Sequence, residues 1–174
     1  MKKILLYTIA WAAGLFLITS CEKETPGGTA TESLAGEWYV TVVAVDENDG
    51  VLYEDEDLYG IGHFLLDTYN TSSNSDTEMW IDDNTNFWEF KTKIKVDLAT
   101  QTFQATDAQN EYYDCKVTIS NGKILYGAAT TPSKMPADSI VFNVTFNDDD
   151  NVEAGYWHAY RISGYRYTGF KNDD

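Results

Sequence analysis

The sequence predicts an all-β fold, an antiparallel β-barrel of about eight strands that follows an export signal and a flexible tether. Beyond residue 33 the apolar side chains recur mostly every second residue rather than at the helical period. Turn-forming residues interrupt that pattern roughly every 8 to 20 residues, the spacing of neighbouring strands in a meander. Closing a meander into a barrel removes its exposed edges, which favours closure over an open sandwich.

The chain opens with Met1-Lys2-Lys3, an apolar run from Ile4 to Ile18, and Thr19-Ser20-Cys21. A basic start, a short hydrophobic segment and small residues before a cysteine read as a secretory signal with the spacing of a lipobox. The run is short of the about 20 residues that a spanning helix needs, which weighs against the rival reading of a membrane helix. Residues 1–20 are therefore expected to be removed, leaving Cys21 as an acylated N-terminus and lipid anchor. Glu22 to Ser33, with Pro26, Gly27 and Gly28 and no large apolar residue, reads as a tether of at most roughly 40 Å. Glu22 and Glu24 around Lys23 resemble the charged signal that sends some lipoproteins to the outer face of the outer membrane. The expected boundaries are 1–20 for the signal peptide, 21–33 for the lipidated cysteine and tether, and 34–174 for the barrel. The expected location is the outer membrane, on its periplasmic or cell-surface face.

The strands are expected as follows. Glu37 to Val45 is the first, and His63 to Tyr69 the second, with room for a short helical turn between Leu58 and Leu66. Trp88 to Leu98 alternates Trp88, Phe90, Ile94, Val96 and Leu98 against Glu89, Lys91, Lys93, Lys95 and Asp97, a half-buried strand. Thr102 to Thr106 follows. Cys115, Val117 and Ile119 alternate with Lys116, Thr118 and Ser120, and Asn121-Gly122 offers two-residue hairpin chemistry into Lys123 to Ala128. Ile140, Phe142, Val144 and Phe146 form the next strand. Tyr156 to Phe170 is the last, with a bend at Gly164.

Removing Lys2 and Lys3 with the signal moves the formal charge from −16 to −18, and no lysine or arginine cluster offers a nucleic-acid footprint. Nucleic acid is therefore not an expected partner. With 43% apolar and 14% aromatic residues, the chain is too rich for disorder and must pack a core. Once Cys21 carries lipid, Cys115 is the remaining thiol, expected as a small buried residue without the cationic neighbour that a reactive thiolate needs. Asp46 to Gly50 and Asp148 to Asn151 are oxygen-rich but lack the helix-loop-helix calcium pattern, so they read as solvated turns and no metal is expected. Catalytic motifs are missing: there is no Gly-x-Ser-x-Gly and no His-Glu-x-x-His, and the histidines are His63 and His158. Ser139 and Ser163 would need one of them as a base, and Asp82-Asp83 could be only half of a carboxylate pair. No catalytic residue and no cofactor is assigned.

Gly36-Glu37-Trp38 at the first strand resembles the G-x-W motif of the lipocalin and calycin superfamily. Together with Thr68-Tyr69-Asn70-Thr71, Met79-Trp80-Ile81-Asp82-Asp83, Phe87-Trp88-Glu89-Phe90-Lys91 and Gly164-Tyr165-Arg166-Tyr167-Thr168-Gly169-Phe170, it resembles the bacterial lipoprotein family described as lipid-binding putative hydrolase. The resemblance implies a lipocalin-like barrel whose closed end Trp38 plugs, under an arginine from the last strand, either Arg161 or Arg166. It also implies a lipid or other apolar small molecule inside the barrel. The aromatic set offers Trp38, Trp88, Phe90, Phe142, Trp157 and Tyr160 as its contacts, with Arg161, Arg166 or His158 facing a carboxylate if the ligand has one. A second reading is a surface module that meets a protein or glycan partner through an aromatic loop, Thr68 to Asn86, with a barrel too full for a ligand. A hydrolase is a third.

Overall fold

The computed structural model describes residues 28–52 and 58–173. The signal, Cys21 and residues 22–27 of the expected tether lie outside the described residues. Eight antiparallel strands close into a barrel in chain order: β1 (Gly36–Val45), β2 (Phe64–Asn70), β3 (Glu78–Asp82), β4 (Lys91–Asp97), β5 (Thr102–Gln109), β6 (Lys116–Thr130), β7 (Pro136–Phe146) and β8 (Ala159–Arg166). β8 pairs back onto β1 from Trp38↔Arg166 to Val45↔Ala159, so the sheet has no free edge. A 3₁₀ turn at Leu58–Gly60 occupies the expected place before β2, and a four-residue helix, α1 (Asp150–Glu153), follows β7.

Alternation puts Trp38, Val40, Val42 and Ala44 of β1 inside, with Ile140, Phe142, Val144 and Phe146 of β7 facing them. The interior is filled. Trp38, Val40, Leu66, Ile81, Phe90, Val117, Ile140, Phe142, Val144, Tyr160 and Ile162 all have 0% of their surface accessible. A side chain bordering a void large enough for water would retain some, so no water-sized space touches this central layer.

The bottom of the barrel is sealed by Trp38. Its Nε1–H donates to Thr68 Oγ1 at 2.8 Å, and the Thr68 hydroxyl donates to the Leu34 carbonyl at 2.8 Å. Arg166 covers the other side, with its guanidinium carbon 4.5 Å from the centroid of the Trp38 ring. Its Nη1 donates to the Ala35 carbonyl at 2.7 Å and its Nε to Asp138 at 3.2 Å. Gly36 makes this possible, because a Cβ there would stand 2.1 Å from Arg166 Nη1. Burial of the tryptophan, on the order of 4 kcal/mol, outweighs the about 0.5–2 kcal/mol of the cation–π contact, which serves mainly to orient the ring. Arg161 is the correction: its place in β8 faces outward, where it pairs with Asp49 at 3.5 Å and never reaches Trp38.

Three other expectations change. Asn121-Gly122 is not a hairpin turn. β6 continues through it, paired to β5 at Phe103↔Gly122 and to β7 on both sides at Ser120↔Asn143 and Lys123↔Val141. Asn121 takes φ 56° and the register shifts there, so the residues that could turn a hairpin instead make a bulge that bends a long strand round the barrel. Gly122 is required at that bend, since a Cβ would lie 2.4 Å from the Phe103 ring and carbonyl. The supposed loop Thr68 to Asn86 contains β3, whose Met79 and Ile81 point inward while Trp80 faces out beneath Lys91 and Lys93. β4 begins at Lys91, because Glu89 at φ 49° breaks the strand ahead of it.

Close backbone approach sets a ranking for glycine substitutions. At Gly164 a Cβ would meet the Tyr39 carbonyl oxygen at 2.1 Å, and backbone cannot step aside. Gly164→Ala is expected to cost about 1–3 kcal/mol in urea unfolding. Gly36→Ala should cost less by itself, because Arg166 can swing away. In a double-mutant cycle with Arg166→Ala the two losses should fail to add.

Candidate functional site

The opposite, upper end is where the barrel has something other than core. β3 and β4 are joined there by a loop wrapped round one carboxylate. Asp83 is 0% exposed and accepts from the backbone N–H groups of Thr85 (2.9 Å), Phe87 (3.2 Å), Trp88 (2.8 Å) and Phe90 (2.9 Å). Burial pushes this carboxyl above the ordinary carboxylate range, and the four donors pull in the opposite direction. The wrap tolerates left-handed backbone at Asn84, Thr85 and Glu89. Asn110 finishes it, accepting from Lys91 N–H at 2.9 Å and donating to the Glu89 carbonyl at 3.0 Å.

What the loop delivers is a lid of aromatic rings. Trp88 stacks on Phe146 with centroids 4.9 Å apart and an interplanar angle of 8°. Phe87 meets Tyr160 edge-on at 5.1 Å, and Trp157 does the same from the β7–β8 connection at 5.6 Å. Tyr160 hydrogen-bonds Tyr59 at 3.2 Å, tying the lid to the segment before β2. Asp148 fixes the Trp88 side, accepting from Trp88 Nε1 at 3.3 Å, Tyr113 hydroxyl at 2.9 Å and Cys115 Sγ at 3.2 Å. Cys115 is accordingly inert: burial and the Asp148 carboxylate both push its thiol up.

Beside the lid runs an open groove of about 400 Å³, lined by Asp46, Glu47, Leu52, Val152, Gly155, Tyr156, Trp157 and His158. Leu52 and Tyr156 are 40% and 66% exposed. Of the six side chains expected to touch a ligand, Trp38, Phe90, Phe142 and Tyr160 are wholly buried, while Trp88 and Trp157 stand half-buried in the lid. Tyr156, Leu52 and Phe87 were not singled out from sequence. Tyr156 and Trp157 sit in the turn after α1 rather than on a strand, so no alternation marks them.

On the outer wall below the lid, Asp82 gathers Tyr112 hydroxyl (2.7 Å), Tyr69 hydroxyl (3.1 Å), Asn84 N–H (3.0 Å) and Lys91 Nζ (3.2 Å). Asp82 and Asp83 thus face opposite ways and do not form a catalytic pair. His63 stacks on Tyr39 at 4.8 Å, and the Ser139 hydroxyl donates to the Gly164 carbonyl at 2.9 Å. Among the described residues neither histidine side chain hydrogen-bonds a serine or a carboxylate, and no group of three His, Cys, Asp or Glu side chains could hold a metal ion.

Two predictions follow from the carboxylates. Asp83→Asn presents an amide to donors that need an acceptor, so it is expected to cost about 2–4 kcal/mol in urea unfolding and to disturb the tryptophan fluorescence of the lid. For Asp82, burial alone would raise the carboxyl, and the bonds from Tyr112, Asn84, Lys91 and Tyr69 overturn that and hold it below its ordinary value. Its contribution to stability is then complete above about pH 4, the unfolded value, and is lost as pH falls through the lower folded value. Tyr112→Phe should shift the acid-unfolding midpoint upward, which circular dichroism across pH 2–6 would detect.

The chain has no match among the curated proteins. Residues 23–171 match a family model whose description is lipid-binding putative hydrolase. That span takes in all eight strands, the Trp38 seal and the Asp83 lid, and the chain belongs to the lipid-binding putative hydrolase family.

Proposed function

We propose that this protein is an exported lipoprotein, acylated at Cys21 and held at the outer membrane, that binds a lipid or other apolar small molecule at the upper mouth of its barrel without transforming it. The observation that carries the site is the contrast between the two regions. The central layer has no room for a ligand, whereas the mouth offers a groove flanked by Leu52, Tyr156 and Trp157 with apolar surface already exposed. Desolvating such surface supplies most of an acyl chain's affinity. The expectation of a ligand deep among Trp38, Phe90 and Phe142 gives way to one seated above Tyr160. Membership of a lipid-binding family supports the ligand class. Anchoring rests on the lipobox pattern before Cys21. No hydrolytic step is proposed, since neither histidine stands as a base to a serine.

Native mass spectrometry of protein purified without detergent is expected to release acyl species. Tyr156→Ala combined with Trp157→Ala should weaken binding of a fluorescent fatty-acyl probe at least about tenfold, equivalent to ~1.4 kcal/mol. Phe142→Leu, deep in the barrel, should leave it unchanged. A probe that fails to bind, or binding sensitive to Phe142 and indifferent to the mouth, would overturn the reading.

A further inference from the structure

The chain enters the barrel from below, and less of it is free than its composition suggests. The Ala30 N–H donates to Asn74 at 2.8 Å, Thr31 and Leu34 are buried, and the Ser33 carbonyl accepts from the Tyr126 hydroxyl at 2.8 Å. Packing therefore claims the chain from about residue 29. Between Cys21 and that point a fully extended chain reaches at most about 25–30 Å. An acyl anchor on Cys21 would keep the bottom rim, and not the mouth, close to the membrane surface.

On that rim β6 and β7 run on past the Trp38 seal as a hairpin, closing at Thr130↔Pro136. Its tip is latched to the C-terminal turn by Asp173, which is 1% exposed and accepts from the Ser133 N–H and the Thr168 hydroxyl, each at 2.8 Å. The Tyr165 hydroxyl donates to the Asp173 carbonyl at 2.6 Å. The latch sets two large apolar side chains outward, Met135 at 59% and Phe170 at 68% exposed, the latter the most exposed large hydrophobic among the described residues. Lys134 and Lys171 are their immediate neighbours in sequence, while the carboxylate of Asp173 is turned inward. In a chain this acidic, an apolar tip whose adjoining exposed charges among the described residues are Lys134 and Lys171 has the chemistry of a membrane interface, apolar atoms for the acyl boundary and ammonium groups for phosphates.

We propose that Met135 and Phe170, flanked by Lys134 and Lys171, dip into the headgroup layer of the membrane that holds the acyl anchor. The barrel then stands bottom-down with its mouth turned away from that membrane. This rests on acylation of Cys21 and is independent of what the mouth binds.

The test uses the full acylated chain in vesicles of phosphatidylethanolamine and phosphatidylglycerol. Nitroxide labels are placed singly at Met135→Cys, Phe170→Cys and, at the other end, Tyr156→Cys. Native Cys115 is buried and does not compete for label. The expected result is relaxation by oxygen several-fold stronger than by a water-soluble nickel chelate at 135 and 170, with the order reversed at 156. Labels at 135 and 170 as water-exposed as that at 156, in protein that floats with the vesicles, would overturn the tip while leaving the anchor standing. Spin–spin broadening at 135 or 170 would assign the patch to a second copy of the chain and equally overturn it. Protein that does not float with vesicles would remove the anchor, and this inference with it.

Discussion

Burial of the Trp38 indole, oriented by the Arg166 guanidinium that lies on it, is the interaction on which the closed end of the barrel depends, and it sits where the last strand meets the first. Closure by backbone hydrogen bonds alone would leave the register of β8 on β1 free to slip, and a slip of one residue would turn every inward side chain outward. The buried inward row of both strands fixes the register, and the arginine reinforces it, bound on three sides by ring face, Ala35 carbonyl and Asp138 carboxylate. Glycine at 36 is the space the guanidinium occupies, so the Gly-Glu-Trp sequence is a steric requirement as much as a motif.

Filling the interior has a functional consequence. Large aromatic and branched side chains meet across the barrel and fill its central layer, which is why the ligand site is proposed at the rim where the strands stop. There the rings of Phe87, Trp88, Phe146, Trp157 and Tyr160 pack edge to face and stacked, arrangements that hold orientation better than aliphatic contacts do. Two carboxylates hold much of the polar part of the rim, with Asp148 tying three donors, the Trp88 indole N–H among them, and Asp83 tying four backbone N–H groups.

Much of this was legible in the sequence. The alternation of β1, β4 and β7 and the Gly-x-Trp start led directly to a closed antiparallel barrel of eight strands. The expected and observed barrels both have eight strands because two differences cancel. β3 does not stand out in the sequence, because its Trp80 points out, under two lysines, and blurs the period that Met79 and Ile81 keep. β6 was divided in two because Asn-Gly supplies positive φ to a bulge as readily as to a turn, and only pairing to both neighbours tells them apart. Arg161 and Arg166 were equal candidates from the sequence, and the observed register decides between them by placing 166 with the inward set of 160, 162 and 164. At the mouth, alternation fails altogether. Phe87 and Trp88 lie in a connection whose path is set by their backbone bonds to Asp83, and Tyr156 and Trp157 in the turn after α1, so strand alternation does not place them.

The wrap of residues 83–90 around a single carboxylate also determines how this mouth can diverge. Each donor is counted from Asp83 by a fixed number of peptide units, so an insertion or deletion anywhere within it would pull an N–H out of reach and dismantle the lid. Substitutions of the rings themselves carry no such penalty. On this side the surface of the mouth can therefore be altered by exchanging one side chain for another at constant loop length, while a change in length must be absorbed by connections that do not hang on one atom group.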